Sequence, residues 1–279
     1  MITLPPALLL TSMAAALLAG FVCSTVGIFV VRMNLSSIGF CMSHAAFAGA
    51  AFGVMAAIDP LVGAVAFSLG TALLIGPLGE KARLESNVII GFLFSATIAL
   101  AFIFLSMIPG QAASGTALRI LWGSIFAVTH WMVLLLALLA AALLAFTVLF
   151  YKEIVAVLFH RKLAEAAGIN TTAFYYAILF FTAAAVSLSL RLVGGLLVFA
   201  LIVNPTSTAY QFFYDFKKIV AASSLVGVVS CLIGFVLSLL TDFPIGASIV
   251  IVSAASFAAA IAVSPKRRRG GTASGKKGL

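Results

Sequence analysis

The residue best suited to chemistry in this sequence is His44, within the long apolar stretch GFCMSHAAFAGAAFG at residues 39–53. An ionisable ring inside a membrane segment is costly and by default indicates a functional site. Neutral imidazole commonly binds zinc, copper and nickel, whereas thiolate selects softer ions. Cys41 lies three residues earlier, about 60° away around a helix, so both side chains could face one cavity. We predict that His44 binds metal and that Cys41 is a second candidate ligand.

A structural role for both residues remains open at this point. His44 could hydrogen-bond to a neighbouring helix, and Cys41 could be a small buried hydrophobe. Two ligands are also too few for an ordinary site, but a homodimer with matching second helices would supply up to four. Gly49 and Gly53, with Ala45 before them, form a ridge of small residues that permits close helix packing.

The composition places these residues in a membrane protein. Of 279 residues, 64% are hydrophobic and 8% are charged, against about 25% charged in soluble domains. Continuous apolar runs exclude the alternation of a β-barrel. We predict an all-α, polytopic bundle of eight to nine transmembrane helices over residues 1–264, with the region 173–213 the least certain. The nine stretches are 7–31, 36–57, 61–79, 87–108, 128–151, 173–190, 193–213, 219–240 and 244–263.

The charge pattern predicts the orientation in the membrane. With nine spans, every Lys and Arg except Arg119 and Arg191 falls on one side. The positive-inside rule makes that side cytoplasmic, with the N-terminus outside and the C-terminus inside. The tail, residues 265–279, is basic and rich in Gly and Ser, so we predict a disordered cytoplasmic segment. The net charge of +9 therefore requires no nucleic acid.

The acidic residues indicate that the chain does not energise transport by itself. All seven fall in loops or at span ends: Asp59, Glu80, Glu85, Glu153, Glu165, Asp215 and Asp242. Ion-coupled carriers usually keep such groups inside the bilayer. The string GGTASGKK at residues 270–277 lacks the Ser or Thr and the strand–helix context of a P-loop. We predict no catalytic residues and no permanently bound cofactor; a transporter would need a separate motor, while an ATP-independent channel or scaffold stays possible.

A candidate docking segment for such a motor lies at about residues 152–172, KEIVAVLFHRKLAEAAGINTT. It is too polar to span a membrane. Leu158, Leu163 and Ala167 recur at helical spacing, and Gly168 suits a helix C-terminus. We predict one short amphipathic helix beneath the membrane; the alternative is a connector that lies in the lipid headgroups.

A break in a later span predicts part of a transport pathway. Gly194 and Gly195 precede LLVFALIVNPTSTAY, in which Pro205 interrupts the span between Asn204 and Thr206. Irregular backbone at membrane depth is tolerated where it is buried in protein or lines an aqueous cavity. We predict that Asn204, Pro205 and Thr206 line the pathway, although an ordinary kink would leave the same pattern.

These segments in order resemble the permeases of zinc and manganese ABC importers, the ABC-3 family. The resemblance covers about residues 27–262. It is carried by RMNLSSIGFCMSHAAFAGAAFG, SNVIIGFLFSATIAL, LWGSIFAVTH, VLFHRKLAEAAGI, LRLVGGLLVFALIVNPTSTA and DFPIGASIVIV.

The resemblance implies a type II ABC importer-like permease in the cell membrane. Its partners would be a second permease copy, cytoplasmic ABC ATPases, and an external metal-binding protein. The ATPase contact would comprise Leu158, Phe159, His160, Arg161, Lys162, Leu163, Ala164 and Gly168.

Two positions depart from the family pattern. Phe40 occupies the place of the aspartate in GDxLSHA, and His160 replaces the aspartate of the coupling motif. Without a hard oxygen ligand, the site should favour zinc over manganese. Phe40 would also suit the pathway wall of a permease for a chelated metal such as haem, cobalamin or a siderophore, which is the alternative function.

Overall fold

The structure, a computed structural model, describes residues 5–108, 128–264 and 266, without the side chains at 191, 193 and 195–197. These residues form eleven α-helices and no strand. The helices are α1 (Pro6–Arg32), α2 (Ile38–Met55), α3 (Pro60–Ala82), α4 (Ser86–Ser106), α5 (His130–Leu149), α6 (Tyr151–Phe159), α7 (Arg161–Ala166), α8 (Thr171–Val193), α9 (Gly195–Phe212), α10 (Phe216–Thr241) and α11 (Ile245–Val263).

Polar residues in the connections set where several helices begin. The Asp59 carboxylate accepts a hydrogen bond from the Leu61 amide at 2.7 Å, at the start of α3. Asn170 and Asp215 make equivalent bonds at the starts of α8 and α10. Each side-chain oxygen satisfies an amide that has no partner within the first turn. The acidic residues at span ends therefore include two that cap helices.

The number of membrane spans agrees with the prediction. Each of the nine predicted stretches holds a long helix, and within the described residues eight are long and apolar enough to cross a membrane. The ninth is α9, whose 18 residues include Asn204, Thr206 and Thr208. The more polar second half of α9 lies within residues 173–213, the region that was least certain from sequence.

The centre of the bundle is formed by α1 and α2. In the apolar 18-residue stretch of each helix, 72% of the residues of α1 and 78% of those of α2 are buried, compared with 33% for α3, α4, α5 and α11. Around α2 lie α3, α4, α8 and α9, whereas α1 packs mainly against α10, α9, α8 and α5. The helix that carries His44 is thus enclosed by its own chain.

The predicted tail lies outside the described residues except for Lys266, and so does Arg119. The Lys266 ammonium donates to the carbonyl oxygens of Tyr210 and Phe213, the latter at 2.7 Å. Both carbonyls lie at the C-terminal end of α9, where a cation is favourable. The segment after α11 therefore packs beside the end of α9.

Candidate functional site

Glycines fix the position of α2 against α3. A Cβ added at Gly49 would collide with the carbonyl oxygen of Gly63, and one at Gly63 would collide with that of Gly49. A Cβ at Gly53 would lie 2.9 Å from the Cα of Pro60. Small residues allow two membrane helices to approach until their backbones touch. The predicted small-residue ridge is therefore used within one chain, where it holds α2 directly against α3.

His44 lies inside a cluster of aromatic rings. Its side chain is only 5% exposed. The rings of Phe40 on α2 and Phe94 on α4 meet the imidazole edge to face, with centroids 4.9 Å and 4.8 Å away. Phe40 also contacts Phe94 at 5.0 Å and Phe199 on α9 at 5.5 Å. The two rings that meet the imidazole thus come from α2 and α4, and α9 adds a third ring against Phe40.

The Nδ1 atom of His44 is buried without a hydrogen-bond partner among the described residues. Leaving a buried polar atom unsatisfied costs about 1–3 kcal/mol, so such atoms are rare in folded proteins. The aromatic neighbours offer ring edges and faces in place of a hydrogen-bond acceptor. Nδ1 therefore does not join His44 to a second helix of the described chain by a hydrogen bond.

Cys41 is completely buried in the main apolar core, as a free thiol. Within residues 5–108, 128–264 and 266, no three His, Cys, Asp or Glu side chains come together as a metal site. One chain therefore brings His44 and at most Cys41 to this point. The prediction that a second copy completes the ligand set stays untested, and in the single chain α2 meets its own neighbours on most of its surface.

Phe40 is partly buried, as are Phe94 and Phe199, whereas His44 is buried. Phe40 occupies the position at which the family resemblance predicts an aspartate. The sequence showed this substitution but gave no sign that Phe94 and Phe199 would join it. Phe94 is eight residues into α4, and Phe199 follows the start of α9; only their long-range packing reveals the cluster.

The predicted break at Pro205 is wrong, because α9 runs without interruption from Gly195 to Phe212. The chain turns instead at Gly194, whose φ of 92° and ψ of 146° end α8 and begin α9. Glycine adopts this backbone conformation without a Cβ clash. Neighbouring helices enclose Pro205 in the bundle, an environment in which a membrane helix tolerates proline.

The residues beside Pro205 make contacts between helices. The Asn204 amide donates to the Ser253 hydroxyl on α11 at 3.1 Å. The Thr206 hydroxyl donates to the Ser24 carbonyl at 3.2 Å and pairs with Ser223 at 3.1 Å. Thr206 is fully buried, so its hydroxyl joins α9 to α1 and α10. The predicted pathway role of Asn204, Pro205 and Thr206 stays a prediction.

The segment after α5 forms two helices, whereas the sequence predicted one. The chain bends at His160, with φ of −148° and ψ of 78°, between α6 and α7. Leu158 is 8% exposed, but Leu163 beyond the bend is 66% exposed. The two leucines therefore do not share a face, because the helical spacing on which that prediction depended ends at His160.

The predicted helix end at Gly168 is confirmed. Gly168 has a φ of 82°. Its amide donates to the Glu165 carbonyl and the Ile169 amide donates to the Ala164 carbonyl, both at 3.0 Å. This is the Schellman pattern, which needs a residue in the left-handed conformation after the helix. Gly168 thereby directs the chain from α7 into α8.

Polar contacts hold α7 against the first residue of α8. The Glu165 carboxylate accepts a hydrogen bond from the Thr171 hydroxyl at 2.6 Å and from Arg161 at 3.1 Å. The Thr171 bond and then the Arg161 bond hold the pKa of Glu165 below its ordinary value. Phe159, 43% exposed beneath the Arg32 guanidinium, and Leu163 leave apolar surface on the outside of this unit. His160 and Lys162 are exposed beside them, while Ala164 is buried.

The fold and this site define a polytopic α-helical membrane protein with one isolated buried imidazole in its centre. The chain belongs to the ABC 3 transport family, whose model matches residues 6–264. A relative from Listeria monocytogenes, named manganese transport system membrane protein MntC, is 32% identical over 252 residues, covering 89% of this chain and 88% of that protein.

Two solved structures share the architecture. PsaBC from Streptococcus pneumoniae, in complex with Fab, matches with a TM-score of 0.83 and 26% identity over 94% of this chain and 93% of that one. An inward-facing structure of a metal-chelate type ABC transporter matches with a TM-score of 0.69 over 90% and 84% of the two chains. The second is 19% identical and bears on the fold alone. The predicted family and fold are confirmed.

Proposed function

We propose that this chain is the permease of an ABC importer for divalent metal ions and that His44 binds the ion in transit. The observation that carries the proposal is the buried imidazole whose Nδ1 has no partner among the described residues. A neutral imidazole nitrogen is a ligand for borderline metal ions. A weak, incomplete ligand set suits a transporter, because the ion must leave as well as enter.

The metal we propose is zinc in preference to manganese. The name of the Listeria relative favours manganese. The His44 imidazole favours zinc, because imidazole suits that ion while manganese prefers carboxylate and water oxygens. Phe40, half-buried beside His44, offers an aromatic ring at the position where the family resemblance implies a carboxylate.

The assembly we propose contains two permease copies, two cytoplasmic ATPases and an external binding protein. The ATPase would meet the outer surface of α6 and α7, where Phe159 and Leu163 are exposed. With the ATPases on the cytoplasmic side, the N-terminus of the permease would lie outside. The ATPases would perform all ATP hydrolysis. The family match and the likeness to PsaBC support the arrangement.

The decisive experiment on His44 is uptake of zinc and manganese, each alone and in competition, by cells that express the transporter with His44→Ala. We expect uptake to fall by at least about tenfold, as for loss of a metal-site group, with normal membrane insertion. His130→Ala is the matched control, since His130 is an exposed imidazole at the start of α5. Undiminished uptake by the His44 variant would remove the site assignment.

The ATPase contact has its own test in Leu163→Asp. Leu163 is 66% exposed, so the charge should leave the permease fold intact and weaken only its complex with the ATPase. The measurement is the amount of ATPase that co-purifies, with exposed Leu240 (75%) at the far end of α10 changed to Asp as the control. If the parent protein, the Leu163 variant and the Leu240 variant retain equal amounts of ATPase, the ATPase binds elsewhere. Nucleotide-independent flux by the permease alone would instead indicate a channel.

A second candidate, a permease for a chelated metal, is favoured by the aromatic cluster. Phe40, Phe94 and Phe199 form an apolar wall of the kind that binds planar organic ligands. ATPase activity of the reconstituted complex separates the two functions. Stimulation by free zinc supports the ion importer, whereas stimulation only by a haem, cobalamin or siderophore complex supports the chelate permease.

A further inference from the structure

A cavity of about 800 Å³ opens between α1, α5, the start of α6 and the first half of α10. It lies apart from His44, which is not among its lining residues. The lining residues on α1 and α10 are Phe21, Thr25, Lys217, Val220, Ala221 and Ser224. Those on α5 and α6 are Leu144, Thr147, Val148, Leu149, Tyr151, Lys152 and Glu153.

The hydroxyl groups at the inner end of the cavity have hydrogen-bond partners within the protein and do not require water. The hydroxyls of Thr25 and Ser224 pair with each other at 2.8 Å, and the Thr25 hydroxyl also donates to the Phe21 carbonyl. The Thr147 hydroxyl donates to the Leu143 carbonyl at 2.7 Å. Because these hydroxyls are satisfied locally, the remaining surface of the inner end behaves as apolar. It is suited to a hydrocarbon chain.

The mouth of the cavity is basic. Lys152 and Lys217 line it, the first at the junction of α5 with α6 and the second at the start of α10. The Lys217 ammonium lies 5.1 Å from the centroid of the Tyr151 ring, which holds it at the entrance. Glu153 is the acidic residue of the lining and offsets part of this charge. Two cations against one anion leave the mouth net positive.

The geometry relates the mouth to the membrane. Lys217 and Ser224 are seven residues apart on α10, so the cavity is about 10 Å deep along that helix. This depth is about a third of the 30 Å hydrocarbon layer. Val148 and Leu149 on its open side are 66% and 74% exposed, and exposed apolar residues at that depth face lipid.

We propose that this cavity binds a phospholipid with a negatively charged headgroup from the leaflet on the basic side of the protein. One acyl chain would lie along Phe21, Leu144 and Val220, and the phosphate would lie between Lys152 and Lys217. Basic pockets between membrane helices on the cytoplasmic side are suited to such headgroups. The inference rests on the cytoplasmic assignment of the basic side made under the proposed function, and is independent of His44.

The test uses the purified full chain in detergent, incubated with equal amounts of phosphatidylglycerol and phosphatidylcholine, with bound lipid counted by native mass spectrometry. We expect selective retention of one phosphatidylglycerol. Lys152→Gln with Lys217→Gln should weaken its binding by about 30-fold, from the usual contribution of a lysine near a lipid surface. Ala221→Trp, which fills the cavity and leaves the charges unchanged, should also remove the bound lipid.

The matched control is Lys81→Gln with Lys218→Gln, which removes the same charge from two exposed lysines outside the lining. Retention in this control supports a site; equal loss in both double variants indicates general surface attraction and overturns the proposal. Equal retention of the two lipids overturns it as well. If lipid binding is unchanged and the Lys152 and Lys217 changes release the ATPase, the face is a protein contact. The His44→Ala variant should retain the bound lipid, so that failure of the metal-uptake proposal can be distinguished from failure of the lipid proposal.

Discussion

Substitution of Gly49 by Ala tests whether the contact between α2 and α3 positions the site. The added Cβ would collide with the Gly63 carbonyl oxygen and lie 2.8 Å from the Phe67 Cβ. Because the nearest atom belongs to a helix backbone, relief requires the helices to move apart. Overpacking of this kind costs about 1–3 kcal/mol, offset in part by the roughly 0.5–1 kcal/mol by which Ala favours a helix over Gly.

Two other glycines provide controls of opposite sign. A Cβ at Gly70 on α3 or at Gly91 on α4 meets nothing within 4 Å among the described residues. Gly70→Ala and Gly91→Ala should therefore stabilise the protein slightly through helix propensity. Thermal midpoints in detergent should fall by roughly 2–10 °C for Gly49→Ala and rise by a few degrees for the controls. If all three variants shift upward together, the close contact does not limit the packing of α2.

Three further changes test the surroundings of the site and the segment after α5. Phe40→Asp should raise manganese uptake relative to zinc by about tenfold, because a carboxylate is a hard donor, at some loss of ring packing; an unchanged ratio would exclude Phe40 from selectivity. Glu165 has a pKa held below its ordinary 4.5 by Thr171 and Arg161, so its contribution to stability is present above that value and is lost as the pH falls through the lower folded pKa. Glu165→Gln should make the thermal midpoint depend less on pH between about pH 3 and 5. A pH dependence identical to that of the parent protein would contradict this. Gly168→Ala should cost about 1–2 kcal/mol, since its φ of 82° is strained for any residue with a Cβ, and should lower ATPase co-purification; an unaffected thermal midpoint would argue against that strain.

Much of the fold could be predicted because the local composition of a segment is enough to identify a membrane helix. A long, continuously apolar run in lipid must satisfy its backbone hydrogen bonds within the segment, as an α-helix does. The position of a helix such as α2 therefore follows from its own residues. His44 was also recognisable, since an ionisable side chain inside such a run is exceptional. Gly168 was predictable because its role depends on the few residues before it.

The features that sequence did not give depend on distant contacts. Phe94 and Phe199 look like ordinary apolar residues until α4 and α9 bring them to Phe40. Pro205 suggested a break, yet the enclosing bundle allows α9 to continue through it. The bend at His160 was hidden because the residues on both sides favour helix.

The direct backbone contact between Gly49 and Gly63 limits how His44 can become accessible. Helices that touch without intervening side chains have no layer that can slide or repack, so α2 and α3 should travel as one stiff unit. Of the two rings that meet His44, Phe40 belongs to α2 and Phe94 belongs to α4. The helix α9 has a close contact of its own, because a Cβ at Gly27 on α1 would collide with the Ile202 carbonyl oxygen. Access of an ion to the imidazole would then depend on a movement of Phe94 on α4 relative to the α2–α3 pair.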